Sequence, residues 1–199
     1  MWIGKIKERI ENQKDCWLLI EGETGSGKTT FAVILAYLLN KKYGLKFSEK
    51  NYFVGIKPFL KSKIGRKNVY IIDEISADLN AGSWNSKMNK LFRYYSATQR
   101  ILQNVYILIS PFRRLISTVN YLFFKYIILA DRGFVNVQEV KVDYNTQTIR
   151  LDLVKLLHYD LEEFFEKKDF RKLYRTIIER SIKYKEKIRK EILEEIKNL

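Results

Sequence analysis

The chain has 199 residues, 46% of them hydrophobic, and a formal net charge of +14 from 37 basic and 23 acidic side chains. This length suits one domain with a sizeable core, and a single cysteine, Cys16, excludes an internal disulfide framework and fits a reducing compartment. His158 is the only histidine, which argues against a histidine-built metal centre or a catalytic triad, while the positive excess favours a polyanionic partner.

Residues 1–15 predict a short amphipathic helix with Ile3, Ile6 and Ile10 on one face. Charge from Lys5 onward leaves no apolar stretch for a signal peptide, so a cytoplasmic location is expected. Trp17-Leu18-Leu19-Ile20 predicts a buried strand, and the run from Thr30 to Leu39 a helix broken by Gly44. Between them stands Gly22-Glu23-Thr24-Gly25-Ser26-Gly27-Lys28-Thr29, a complete Gly-x-x-x-x-Gly-Lys-[Ser/Thr] pattern in its strand–loop–helix context. The glycines let backbone amides wrap a phosphate chain at a helix N-terminus. Lys28 is expected to reach the β- and γ-phosphates of ATP, with Gly22 to Thr30 forming the nucleotide-binding segment and the Thr29 hydroxyl binding Mg²⁺. A glycine-rich turn that merely connects two elements would not require this spacing.

Residues 41–67 hold nine basic residues against one acid, Glu49, interleaved with Tyr43, Phe47, Tyr52, Phe53 and Phe59. Such density suits a polyanion track, and Lys57, Lys61, Lys63, Arg66 and Lys67 are its candidate DNA contacts. The alternative is a solubilising surface. No groove-reading helix is evident, so contact is expected with backbone phosphates. A short strand within 51–56 and a helical turn at Pro58 precede Gly65.

Residues 68–74, Asn-Val-Tyr-Ile-Ile-Asp-Glu, predict a central parallel strand, because helices on both faces permit a near-continuous apolar run. Asp73 and Glu74 then emerge at the sheet edge where open α/β sheets hold ligands. Asp73 is the expected second Mg²⁺ ligand, and Glu74 the group that polarises attacking water. Residues 78–102 read as a loop and then a helix, with Trp84, Met88, Leu91, Phe92 and Tyr95 at spacings of threes and fours. Residues 104–110 predict a strand stopped by Pro111, and Ser110 at its end is a candidate γ-phosphate sensor. Arg93, Arg100, Arg113 and Arg114 flank this strand. Arg100 is the first candidate for an arginine that acts on a neighbouring subunit's nucleotide, ahead of Arg93 and Arg113.

Residues 112–124 predict a helix, 126–129 a strand, and 135–153 a β-hairpin around Asn145. From Leu156 onward the mixed-charge sequence predicts helix, with an isoleucine stripe at Ile182, Ile188, Ile192 and Ile196. Arg180, Lys183, Lys185, Lys187, Arg189 and Lys190 are weaker candidates for DNA contact than for a solvated face. The most apolar stretch, 121–130, is too short to span a membrane and contains Lys125. The expected architecture is an α/β P-loop NTPase. It has a mostly parallel central sheet flanked by helices, an ATPase domain over 1–154 and a helical extension over 155–199.

The order of phosphate loop, Ile71-Ile72-Asp73-Glu74, Trp84-Asn85-Ser86-Lys87-Met88-Asn89-Lys90, Arg100 and the strand ending Ile109-Ser110-Pro111 resembles small P-loop ATPases of archaeal viruses and plasmids. These are similar to the FtsK/HerA superfamily, which includes viral genome-packaging ATPases and zonula occludens toxin-like proteins of filamentous phages. The resemblance covers roughly residues 18–129. It departs at the sensor, where many relatives end the strand with Thr-Gln. It implies a homo-oligomeric ring that uses ATP and Mg²⁺ to translocate double-stranded DNA, with a capsid portal or vertex as a further partner. Two other readings remain open: a replication helicase or helicase loader, and a small-molecule or nucleotide kinase. The Asp-Glu pair and the basic excess are uncharacteristic of a kinase. A protein-directed secretion ATPase would favour a membrane anchor or docking domain, and neither is evident.

Overall fold

The computed structural model describes residues 2–77, 79, 86–111, 118–143, 145–146 and 148–197. Trp84, Arg113 and Arg114 lie outside these residues, as does the 112–117 part of the expected helix; residues 118–123 form a 3-10 segment. The elements run α1 Trp2–Glu11, β1 Cys16–Glu21, α2 Lys28–Tyr43, β2 Tyr52–Val54, α3 Ile56–Leu60, β3 Val69–Asp73, α4 Lys87–Thr98, β4 Val105–Ser110, β5 Tyr126–Asp131, β6 Phe134–Asp143, β7 Thr148–His158, α5 Leu161–Glu166 and α6 Lys168–Lys197.

Among the described residues the strands form a seven-stranded sheet in the order β2-β3-β4-β1-β5-β6-β7. β2, β3, β4, β1 and β5 are parallel, whereas β6 and β7 add an antiparallel hairpin. This is the fold of a P-loop NTPase. β1, β3 and β4 are buried along their whole lengths because layers of side chains cover both faces. Alternate β1 residues feed separate cores: Cys16, Leu18 and Ile20 pack with α1, α2 and α6, while Trp17 and Leu19 pack with α3 and α4. Gly44 ends α2 as expected, at φ 69° with its amide donating to the Asn40 carbonyl.

The chain beyond β6 departs from expectation. The helix expected from Leu156 is preceded by strand: Leu156 and Leu157 pair with Asn136 and Val135, and the ladder runs on to His158 opposite Phe134. The boundary expected after residue 154 therefore falls inside β7. The helical signal begins at Asp160, whose carboxylate accepts from the Glu162 amide as an N-cap.

Helix α6 is also less of an appendage than its charge suggests. Its packed face is Phe170, Tyr174, Ile177 and Tyr184, with Phe170 and Ile177 fully buried. The isoleucine stripe looks outward at Ile182, Ile188 and Ile196, and the Ile192 side chain lies outside the described part. Phe170 meets the rings of Tyr37 and Tyr174 at centroid distances of 5.2 and 5.9 Å. Burying a side chain of this size contributes about 1.5–3 kcal/mol, enough to fasten α6 along the phosphate-loop helix α2.

Candidate nucleotide site

β1, β3 and β4 deliver their C-terminal ends to one edge of the sheet, where Gly22 to Thr29, Asp73 and Ser110 come together. The loop is shaped by close approach as much as by flexibility. A Cβ on Gly22 would collide with the Ala130 carbonyl oxygen of β5 and with the Ser26 hydroxyl, so only glycine fits. Gly27 caps α2 with φ 86°, in the left-handed region. The Phe31 amide is the first to close a helical bond, onto the Gly27 carbonyl. The earlier amides of α2 therefore point from the helix N-terminus into the loop, where an anion is favoured.

Two features fit a phosphate chain. The Ser26 hydroxyl is buried with no hydrogen-bond partner among the described residues, a cost that an anionic oxygen would relieve. Lys28 Nζ donates to the carbonyls of Gly22 and Glu23, both at 2.7 Å, which holds the ammonium over the loop. Burial pushes the Lys28 ammonium below its ordinary pKa, while Asp73 and Glu74 oppose that shift.

Thr29 Oγ1 donates to Asp73 Oδ2 at 3.0 Å and so joins the phosphate-loop helix to the acidic strand. The Tyr52 hydroxyl donates to the same oxygen at 2.8 Å, and the Glu74 amide donates to Asp73 Oδ1 at 2.9 Å. Asp73 is only 2% exposed. Burial raises its pKa, and the bond from Tyr52 is the leading influence in the other direction. Oxygen donors from one hydroxyl and one carboxylate, in a site that would share phosphate oxygens, suit Mg²⁺. Among the described residues no cluster of three acidic, histidine or cysteine side chains offers a self-sufficient metal cage.

Glu74 follows at φ 54°, an unusual conformation for a residue with a Cβ. It turns the side chain out of the strand line and into a cleft of about 390 Å³ shared with Lys28, Thr29 and Asp73. There it meets Lys185 of α6, with Nζ 2.9 Å from Glu74 Oε1.

The remaining sequence candidates are placed as follows. Glu23, Thr24 and Gly25 form the exposed crest of the loop. Thr30 shares a 3.0 Å hydrogen bond with the Tyr174 hydroxyl of α6. Ser110 is fully buried beside Glu21, and its neighbours Ile109 and Pro111 line the cleft. Arg100 sits in the 3-10 turn Gln99–Leu102, before β4 and at the opposite end of that strand; its side chain lies outside the described part. Arg93 is half-buried on α4.

Lys57, Lys61, Lys63, Arg66 and Lys67 are all exposed. The aromatics interleaved with them are not a stacking platform. Tyr52 and Phe59 are core residues, Phe53 packs beside Phe59, and Tyr43 and Phe47 lean on the other core. The segment therefore offers charge without exposed rings.

Tyr52 was expected only among the aromatics of the basic segment, and Lys185 only as a weak DNA contact; neither was placed at this site. Nothing local connects Tyr52 to Asp73, which lies 21 residues further along the chain at the end of the next strand. The contact follows from β2 pairing with β3, which sets Tyr52 opposite Ile71. For Lys185 a signal existed: Phe170, Tyr174, Ile177, Ser181 and Tyr184 recur at threes and fours, and Lys185 borders that face.

No protein-family model matches the chain, and no curated protein matches it in sequence. Among solved structures it is similar to the N-terminal domain of zonular occludens toxin from Neisseria meningitidis, at 16% identity and a TM-score of 0.45, covering 80% of this chain and 98% of that one. It is also similar to the genome packaging NTPase B204 from Sulfolobus turreted icosahedral virus 2 in complex with ATP-gammaS, at 14% identity and a TM-score of 0.42, covering 71% and 98%. A third is Thermotoga maritima RuvB, at 22% identity and a TM-score of 0.44, with 64% of this chain covering 43% of that one. The first two are of the group that the sequence itself resembles.

Proposed function

We propose that this chain is a Mg²⁺-dependent ATPase that works as a ring to move double-stranded DNA, in viral genome packaging. The observation that carries the ATPase reading is the 3.0 Å bond between Thr29 and Asp73, with Glu74 next in the chain and opening into the cleft that holds Lys28. It brings a phosphate cradle, a pair of metal-binding oxygens and a carboxylate for water into one site, the combination that in-line phosphoryl transfer to water requires.

In this reading Lys28 exchanges the Gly22 and Glu23 carbonyls for β- and γ-phosphate oxygens, and the Ser26 hydroxyl donates to the same chain. Thr29 and Asp73 hold Mg²⁺, which neutralises charge on the phosphate oxygens. Glu74 orients water toward the γ-phosphate and takes up its proton. Ser110, behind the cleft wall, reports the γ-phosphate to β4. An arginine from an adjacent subunit, Arg100 first among candidates, completes the charge stabilisation and makes turnover depend on assembly.

DNA as the polyanion is supported by the net charge of +14 and by the exposed Lys57, Lys61, Lys63, Arg66 and Lys67. Among the described residues no helix is long and apolar enough to cross a membrane.

The test is ATP hydrolysis by the purified chain, with and without long double-stranded DNA, beside Glu74→Gln. Expected are DNA-stimulated turnover and a loss of about 10²–10⁴-fold in the variant with ATP binding retained. Turnover indifferent to DNA removes the translocase reading. Phosphoryl transfer to an added small acceptor instead of water removes the ATPase.

A further inference from the structure

α6 reaches the nucleotide site as a fastened element. Phe170 and Ile177 anchor it in the core, and Tyr174 bonds Thr30 of the phosphate-loop helix. One turn or two further on, Ser181 is buried, and the Arg180 guanidinium donates to the Glu49 carbonyl. Lys185 follows Ser181 by four residues, hence on the same face and about 6 Å farther along the axis. Its ammonium lies 2.9 Å from Glu74 and lines the same cleft as Lys28, Thr29 and Asp73.

Two consequences follow from this geometry. While Lys185 is bound to Glu74 Oε1, that oxygen is engaged and the carboxylate is a poorer acceptor for a water proton. The pair is also easily exchanged, since its side chains are 55% and 41% exposed and such pairs are weakly held. A lysine has a long flexible stem and three donors, so it can swing between acceptors within one cleft. The third phosphate of a nucleoside triphosphate adds negative charge there, and a diphosphate does not.

We infer that Lys185 is a γ-phosphate ligand which this chain supplies to its own site from α6, held on Glu74 until a triphosphate draws it away. The exchange leaves Glu74 free to orient water only when the γ-phosphate is present. The chain thus brings a second cation to its nucleotide in cis, in addition to Lys28 and to any arginine from a neighbour. This inference rests on the proposed ATP site and adds to it the residue that distinguishes ATP from ADP.

The experiment is equilibrium binding of β,γ-imido ATP and of ADP, each with Mg²⁺, to the full chain as wild type, Lys185→Met and Lys185→Arg. The methionine variant should bind the triphosphate analogue about tenfold more weakly, the equivalent of losing one charge-assisted hydrogen bond. Its ADP affinity should stay within about twofold of wild type, and the arginine variant should recover most of the discrimination. The inference is overturned if the two nucleotides weaken together or neither changes. It is equally overturned if Lys185→Met hydrolyses ATP faster with its ATP-to-ADP preference intact, for then Lys185 only restrains Glu74. A wild-type chain that binds neither nucleotide sinks the proposed function as well; one that binds and hydrolyses ATP while Lys185→Met behaves identically sinks this inference alone.

Discussion

Replacing Tyr52 with phenylalanine removes one hydroxyl from the support of Asp73 and leaves the ring in place. The phenol donates to Asp73 Oδ2 at 2.8 Å, and its residue is 2% exposed, so water cannot replace the lost bond. Burial and the Asp73 charge both push the Tyr52 pKa up, so the phenol stays a donor throughout the accessible pH range. A hydrogen bond to a charged group contributes about 1.5–3 kcal/mol. For a domain of this length the melting temperature should fall by about 3–12 °C. The deficit should narrow in acid, as Asp73 takes up a proton and needs its donors less. On the proposed role of Asp73 as a Mg²⁺ ligand, the same bond orients the coordinating carboxylate, so the Mg²⁺ concentration that half-saturates hydrolysis should rise about 10–100-fold, with the rate at saturating Mg²⁺ little changed. The assay is a Mg²⁺ titration of turnover together with melting curves across pH. A titration that superimposes on wild type, with a melting deficit that ignores pH, would falsify the assignment of Tyr52 as the residue that positions Asp73.

Asp73→Asn should abolish hydrolysis and yet raise the melting temperature in metal-free neutral buffer. The sign follows from burial: the folded pKa of Asp73 lies above the ordinary carboxylate value, so between the two values the folded state binds more protons than the unfolded state. Stability from this group therefore falls as pH rises from about 4 through the folded pKa, and asparagine escapes that loss. The two proteins should converge at lower pH, and a variant less stable than wild type at neutral pH contradicts the burial argument. Phe170→Ala empties a fully buried site between α2, α5 and α6 and should cost about 3–5 kcal/mol in denaturant unfolding. A loss under about 1 kcal/mol would mean that α6 does not unfold with the domain.

The outline of the candidate site was legible because its parts are local. A phosphate loop needs glycines where the backbone approaches a strand, and Gly22 against Ala130 shows why no other residue serves. The Ile71-Ile72-Asp73-Glu74 strand reads correctly because burial on both faces demands apolar residues up to the point where the acids emerge. The hairpin was legible in its alternation but not in its length, because Leu156 and Leu157 suit a helix as well as a strand and only pairing with β6 decides between them.

The sequence alone thus determined the fold class, the glycine loop between β1 and α2 and the acidic pair that ends β3, since residue type and spacing within a short stretch of chain dictate each of them. Only the tertiary structure decided which groups hold that pair. Tyr52 comes to Asp73 through β2–β3 pairing, and Tyr174 and Lys185 come to Thr30 and Glu74 through the packing of α6 on α2. The physical reason is that hydrophobic burial of Phe170 and Ile177 fixes the path of α6, and residues far apart in the chain meet wherever that path carries them.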